Sequence, residues 1–92
     1  MIVDFRCKNT EMLWMAGSNR RFSAVAKPAL AKLAMLNRAA DLNDLRVPPG
    51  NRLEALRGDR AGQHSIRINQ QWRVCFRWTK EGPARVEIAG YH

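Results

Sequence analysis

The sequence predicts an α+β domain in which helices cover one face of an antiparallel sheet. Two observations carry this. The first half holds Ala- and Leu-rich stretches bounded by helix start and stop residues, whereas the second half switches to a period of two in "HSIRI", "WRVCFRW" and "RVEIAGY". Strands gathered together after helices give a layered α+β arrangement rather than an alternating α/β one. Ninety-two residues make one domain, 1–92, with a modest core.

The elements follow in order. Residues 2–7, "IVDFRC", alternate weakly and predict a first strand. Thr10 is placed to cap a short helix over "EMLWMA", which Gly17 closes. "GSNRRF" is a basic loop. Pro28 suits the first turn of a second helix, "PALAKLAMLNRAA", with Leu30, Leu33, Leu36 and Ala40 on one stripe and Lys32 and Arg38 on the other side. Asp41 can cap a further short turn, "DLNDL", and "VPPG" ends all helix. "RLEAL" predicts a short strand with a bend. "NQQ" and "TKEGP" are the turns between the last three strands.

Charge narrows the class of partner. Sixteen Lys and Arg face eight Asp and Glu, for a net charge of +8, and only Lys8, Lys27, Lys32 and Lys80 are lysines. The rest are Arg, whose planar fork of donors suits phosphate oxygens, so the excess points to a nucleic acid. Cys7 and Cys75 sit in apolar runs with no second Cys or His at ligand spacing, which predicts two free thiols and neither metal nor cofactor. No signal peptide and no membrane-length apolar run is visible, and the expected location is cytoplasmic.

The period of two then sorts the strand residues by face. Trp72, Val74, Phe76 and Trp78 share an apolar face with Ile66, Ile68, Val86 and Ile88. The opposite face is expected to carry Arg67, Arg73, Arg77, Arg85 and Tyr91. Charges on a solvated sheet face are ordinary. Four like charges on one small face repel across strands, and a face that accepts that cost suits phosphates, with the tyrosine available to stack on a base. Arg57 and Arg60 follow "LEAL" in a glycine-bearing turn that matches no nucleotide-binding fingerprint.

Taken together, "DLRVPPGNRLEALRGDRAGQHSIRINQQWRVCFRW" and the closing "VEIAGYH" resemble the HigB-type toxins, the plasmid-maintenance killer proteins of the RelE-like superfamily, and "TEMLWMAGSNRRF" fits as well. The resemblance covers essentially the whole chain. It implies a curved antiparallel sheet with two helices on one face, and the toxin of a type II toxin–antitoxin pair. It further implies an endoribonuclease that cuts mRNA on the ribosome and is neutralised by a helix-turn-helix, HigA-type antitoxin, operator DNA being met only through that antitoxin. By position, Arg57 contacts phosphate, Arg73 stabilises charge at the scissile phosphate, Tyr91 positions a base and His92 assists proton transfer. Arg60, Arg67, Arg77, Glu54 and His64 are expected to line the RNA-binding surface, Glu54 standing where some members carry His. The chain departs from the family at Gly90, where many members have Asp, and at His64, where many have Trp. The alternative reading is a basic RNA-binding module, or an inactive toxin that binds only its antitoxin.

Overall fold

The computed structural model describes residues 1–91. His92 lies outside the described residues. Helix α1 spans Lys8–Ala16 and α2 spans Ala26–Arg38. Four strands follow, β1 (Glu54–Ala55), β2 (His64–Arg67), β3 (Trp72–Thr79) and β4 (Gly82–Gly90), in the spatial order β1-β2-β3-β4, every pair antiparallel. Both helices pack on one face of this sheet, as the α+β reading requires.

The helix boundaries are set by local chemistry. Gly17 closes α1 in the left-handed conformation, φ 79°, and donates its N–H to Leu13 O at 2.8 Å. The start of α1 lies a turn earlier than the sequence suggests. Cys7 occupies the cap position without a side-chain bond, and Thr10 is buried inside the helix. The N-terminal segment explains why. It runs beside the outer edge of β4, with Phe5 bridging Val86 in parallel. Arg6 N–H donates to Val86 O and Val86 N–H to Asp4 O. This bridge is all that forms of the expected strand over 2–7, because the chain turns into α1 at Lys8. The turn leaves the Ile88 N–H without a strand partner. Thr10 Oγ1 accepts it at 3.0 Å, satisfying a buried donor that would otherwise cost about 1–3 kcal/mol.

Helix α2 begins two residues before Pro28 and ends at Arg38, so Ala29, Leu33 and Leu36 are buried while Ala40 is exposed. It stops there because Asp41 and Asp44 form a reciprocal capping box for the 3-10 turn Leu42–Arg46. Asp41 is the cap the sequence indicated. Lys32 does not face open solvent; it donates to Asn51 Oδ1.

The inner sheet face carries Ile66, Val74 and Ile88 in one row. These meet Leu13, Leu33 and Leu36 in the core. Trp72 stands edge-on to Phe22 at 5.6 Å between centroids. The β3–β4 ladder contains one irregularity. Cys75 pairs with Glu87 and Arg77 with Ala84, so Arg85 and Val86 together oppose Phe76. Arg85, at φ 53°, is the additional residue of this bulge. The alternation therefore does not place it on the arginine face, contrary to the period-two expectation.

The second hairpin turns on Lys80 and Glu81 alone, with Thr79 paired to Gly82. Gly82 has φ 124°, and a Cβ there would run into the Met1 carbonyl oxygen. Gly82→Ala is expected to destabilise the domain by about 1–3 kcal/mol. In a thermal melt each kcal/mol corresponds to a drop of roughly 4–8 °C in a domain of this size.

Candidate functional site: an arginine-lined cleft on the open sheet face

Two adjacent rows of side chains define the sheet face opposite the helices. One row runs Glu54, Ser65, Cys75, Glu87, with a carboxylate at each end and small buried residues between. The next runs Arg67, Arg73, Ala89. Arg67 and Arg73 are direct cross-strand partners, a like-charge pairing that a sheet tolerates only at a cost.

The space at the β1 end of these rows is a cleft of about 290 Å³ lined by Arg52, Glu54, Arg67, Gln70 and Tyr91. Arg73 borders it. Its guanidinium lies 5.2 Å above the Tyr91 ring and its Nη1 lies 3.9 Å from Glu54 Oε1. Arg73 is 17% exposed and Glu54 60%, so this ion pair contributes little to stability. Arg73 Nε is buried and has no acceptor among the described residues. Glu54 stands beyond hydrogen-bond distance of Nη1, so the Nη groups rather than the buried Nε keep donors for an anion. Arg67 Nε donates to Asn69 O at 3.1 Å, which pins the base of that side chain beside the cleft. Tyr91 follows β4 and donates its N–H to Gln71 O at 2.8 Å. The last strand thus delivers the tyrosine to the arginine face, as the sequence indicated.

The remaining expected residues are placed elsewhere. Arg60 lies in a strap, residues 56–63, that folds over the outer face, and its Nη1 is 2.7 Å from Glu87 Oε1. That contact raises the Arg60 pKa above its ordinary value. Arg6 approaches the same carboxylate at 3.9 Å. Burial pushes the Cys75 thiol up from its ordinary range, with Arg60 and Arg73 drawing it partly back. Arg77 is held against the strap, where a Cβ on Gly62 would lie 2.7 Å from its Nη1. Arg57 is exposed at the start of the 3-10 turn Gly58–Arg60 and does not line the cleft. His64 pairs with Phe76 and stacks on it at 6.3 Å, on the helix side of the sheet. The cleft therefore brings together Arg67, Arg73, Tyr91 and Glu54 but not Arg57, Arg60, Arg77 or His64. His92 falls outside the described residues.

Arg52 is a cleft residue that the sequence did not single out. It sits at φ 46°, ψ 54°, a left-handed conformation that costs an L residue about 1–2 kcal/mol. The preceding Asn51 is fully buried and donates to Leu45 O at 3.1 Å and Met35 Sδ at 3.2 Å. A polar residue after "PPG" was the one available signal, and it says nothing about a neighbouring arginine. No group of three His, Cys, Asp or Glu residues able to hold a metal ion occurs among the described residues. Among them too, no helix is long and apolar enough to cross a membrane.

Known proteins resemble this chain along most of its length. The family model described as RelE-like toxin of type II toxin-antitoxin system HigB matches residues 4–90. The chain is 38% identical over 80 residues to Toxin HigB-1 of Vibrio cholerae serotype O1, spanning 85% of this chain and 84% of that protein. It is also 38% identical over 56 residues to an uncharacterized protein of Haemophilus influenzae, across 61% of this chain and 55% of the other.

Proposed function

The chain belongs to the HigB-like family of RelE-like toxins of type II toxin–antitoxin systems, and from that membership and the cleft we propose that it arrests growth by cutting mRNA held on the ribosome. The observation that carries the reading is Arg73, incompletely paired, set beside Arg67 and above Tyr91 at the edge of a cleft that also holds a carboxylate.

The proposed chemistry uses the RNA's own 2′-OH. That oxygen attacks the adjacent phosphorus, the bond to the 5′ oxygen breaks, and the products are a 2′,3′-cyclic phosphate and a 5′-OH. Three services are needed: a proton acceptor for the 2′-OH, cations for the dianionic pentacoordinate phosphorane, and a proton for the leaving oxygen. Arg73 and Arg67 meet the charge on the phosphorane. Glu54 is the one carboxylate lining the cleft among the described residues and takes the 2′-OH proton. Tyr91 stacks on a base. His92, next in sequence, returns a proton to the leaving oxygen by the family resemblance. Arg57 stands outside the cleft and contacts the strand beyond it. Acid–base capacity is thin, so the ribosome's orientation of the message supplies part of the rate. The partner that silences the toxin is a helix-turn-helix, HigA-type antitoxin, and operator DNA is reached only through it.

The test is induction of this protein alone in bacterial cells, with growth followed and 5′ ends of cellular mRNA mapped. Growth arrest with new 5′ ends inside translated frames supports the reading. Normal growth with intact message refutes it and leaves the cleft as a binding surface.

A further inference from the structure

We infer that Arg52 contacts the substrate, binding the RNA phosphate next to the one that is cut. The inference rests on the nuclease reading for its substrate class, but on separate observations for the residue. The cleft, about 290 Å³, lies at the lower end of small-molecule pocket sizes, so it holds about one nucleotide. Arg67 lines it partly buried and Arg73 borders it mostly buried, whereas Arg52 is exposed at its rim. A cation at that rim meets the backbone where the strand leaves the cleft.

The local structure commits Arg52 to this place. An exposed residue with no ion pair among the described residues gains nothing for the fold from being an arginine. Yet its backbone is held left-handed, where glycine is the unstrained choice. The hold comes from the neighbouring Asn51, buried and bonded to Leu45 O and to Lys32 Nζ, and from the Arg52 N–H donated to Pro49 O at 3.1 Å. Strain kept in place by buried bonds is characteristic of residues positioned for a ligand. The conformation presents a long cationic side chain from a loop that the buried Asn51 anchors to Leu45 O.

Two variants separate a substrate contact from a structural role. Arg52→Gly relieves the backbone, and Arg52→Lys keeps a charge without the planar fork. Both are compared with wild type for binding of a short single-stranded RNA with 2′-O-methyl groups, which cannot be cut, across a salt series. Thermal midpoints and single-turnover cleavage on mRNA-programmed ribosomes are measured beside it. The expected result for Arg52→Gly is about tenfold weaker binding, a salt slope reduced by about 0.7 for one lost phosphate contact on a single strand, and a midpoint at or above wild type. Arg52→Lys is expected to recover most of the slope, because a phosphate also accepts a point charge. An unchanged slope in Arg52→Gly overturns the inference, as does a lowered midpoint with unchanged binding. If the wild-type protein binds RNA but never cuts message on ribosomes, the nuclease reading fails while the slope comparison still decides Arg52. If it neither binds RNA at low salt nor cuts message on ribosomes, both fall. If it cuts on ribosomes without binding free RNA, an Arg52→Gly cleavage rate equal to wild type overturns the Arg52 contact.

Discussion

Arg73→Ala is expected to lower cleavage of ribosome-bound message by about 10²–10³-fold, the range typical for removing one donor to a transition-state oxyanion. The side chain stands at the junction of the two outer rows, between Glu54 and Tyr91. It is directly opposite Arg67. In the proposed mechanism its loss removes charge where the phosphorane gains it, and it takes from Glu54 its ion-pair partner. The defect should fall on the rate of the bound complex more than on its formation, because Arg67 and the surrounding positive charge still hold the strand. Arg73→Lys is expected to recover only part of the rate, since an ammonium cannot present two parallel donors. Single-turnover cleavage at saturating toxin, with affinity for a non-cleavable message measured separately, checks both statements. A variant that binds more weakly but cuts at the wild-type rate when saturated would make Arg73 a binding residue alone.

The largest stability effect is expected from Phe76→Ala, at about 3–5 kcal/mol. Phe76 is fully buried at the centre of β3, packs in the main core and stacks on His64. It is also the residue that faces the bulge, so two residues of β4 oppose it. Truncation empties the core at the point where the ladder is already irregular and cannot close over the gap. Domains of this kind hold about 5–15 kcal/mol in all, so the variant should approach the unfolding threshold at growth temperature. Denaturant titration should show a lower midpoint with an unchanged slope. Phe76→Leu, which keeps most of the volume, should lose much less.

How much of this was legible in the sequence depends on whether the governing interaction is local. Alternation along "WRVCFRW" sorts Trp72, Val74 and Phe76 from Arg73, Cys75 and Arg77 without reference to any other segment, because the side-chain period of a strand is geometric. Arg67 and Tyr91 then joined Arg73 through pairings that the turns enforce. His64 shares the parity of Ile66, so the alternation alone sets it on the helix side, against Phe76 rather than on the arginine face. Other features depend on distant partners. Arg60 looks like a free surface cation until Glu87, on the far strand, comes beside it. Arg85 looks like part of the arginine face until the bulge inserts it as an extra residue. Thr10 has the right chemistry for a helix cap, but a buried N–H on Ile88 claims its hydroxyl. Arg52 owes its position to a left-handed backbone fixed by a buried asparagine, and nothing in the local pattern signals that.

The seating of β4 bears on when the proposed site is assembled during folding. That strand carries the chain to Tyr91, lies between β3 and the N-terminal segment, and donates its Ile88 N–H to Thr10 Oγ1. A chain whose residues 82–91 have not yet paired with β3 has no tyrosine beneath Arg73. Its N-terminal segment has no β4 to lie against. The cleft is completed by long-range pairing, the slowest kind of contact to form. The arginine face alone is therefore not the proposed site: until β4 docks, it stands without its tyrosine, an interval in which an antitoxin can meet a molecule whose cleft is not yet assembled.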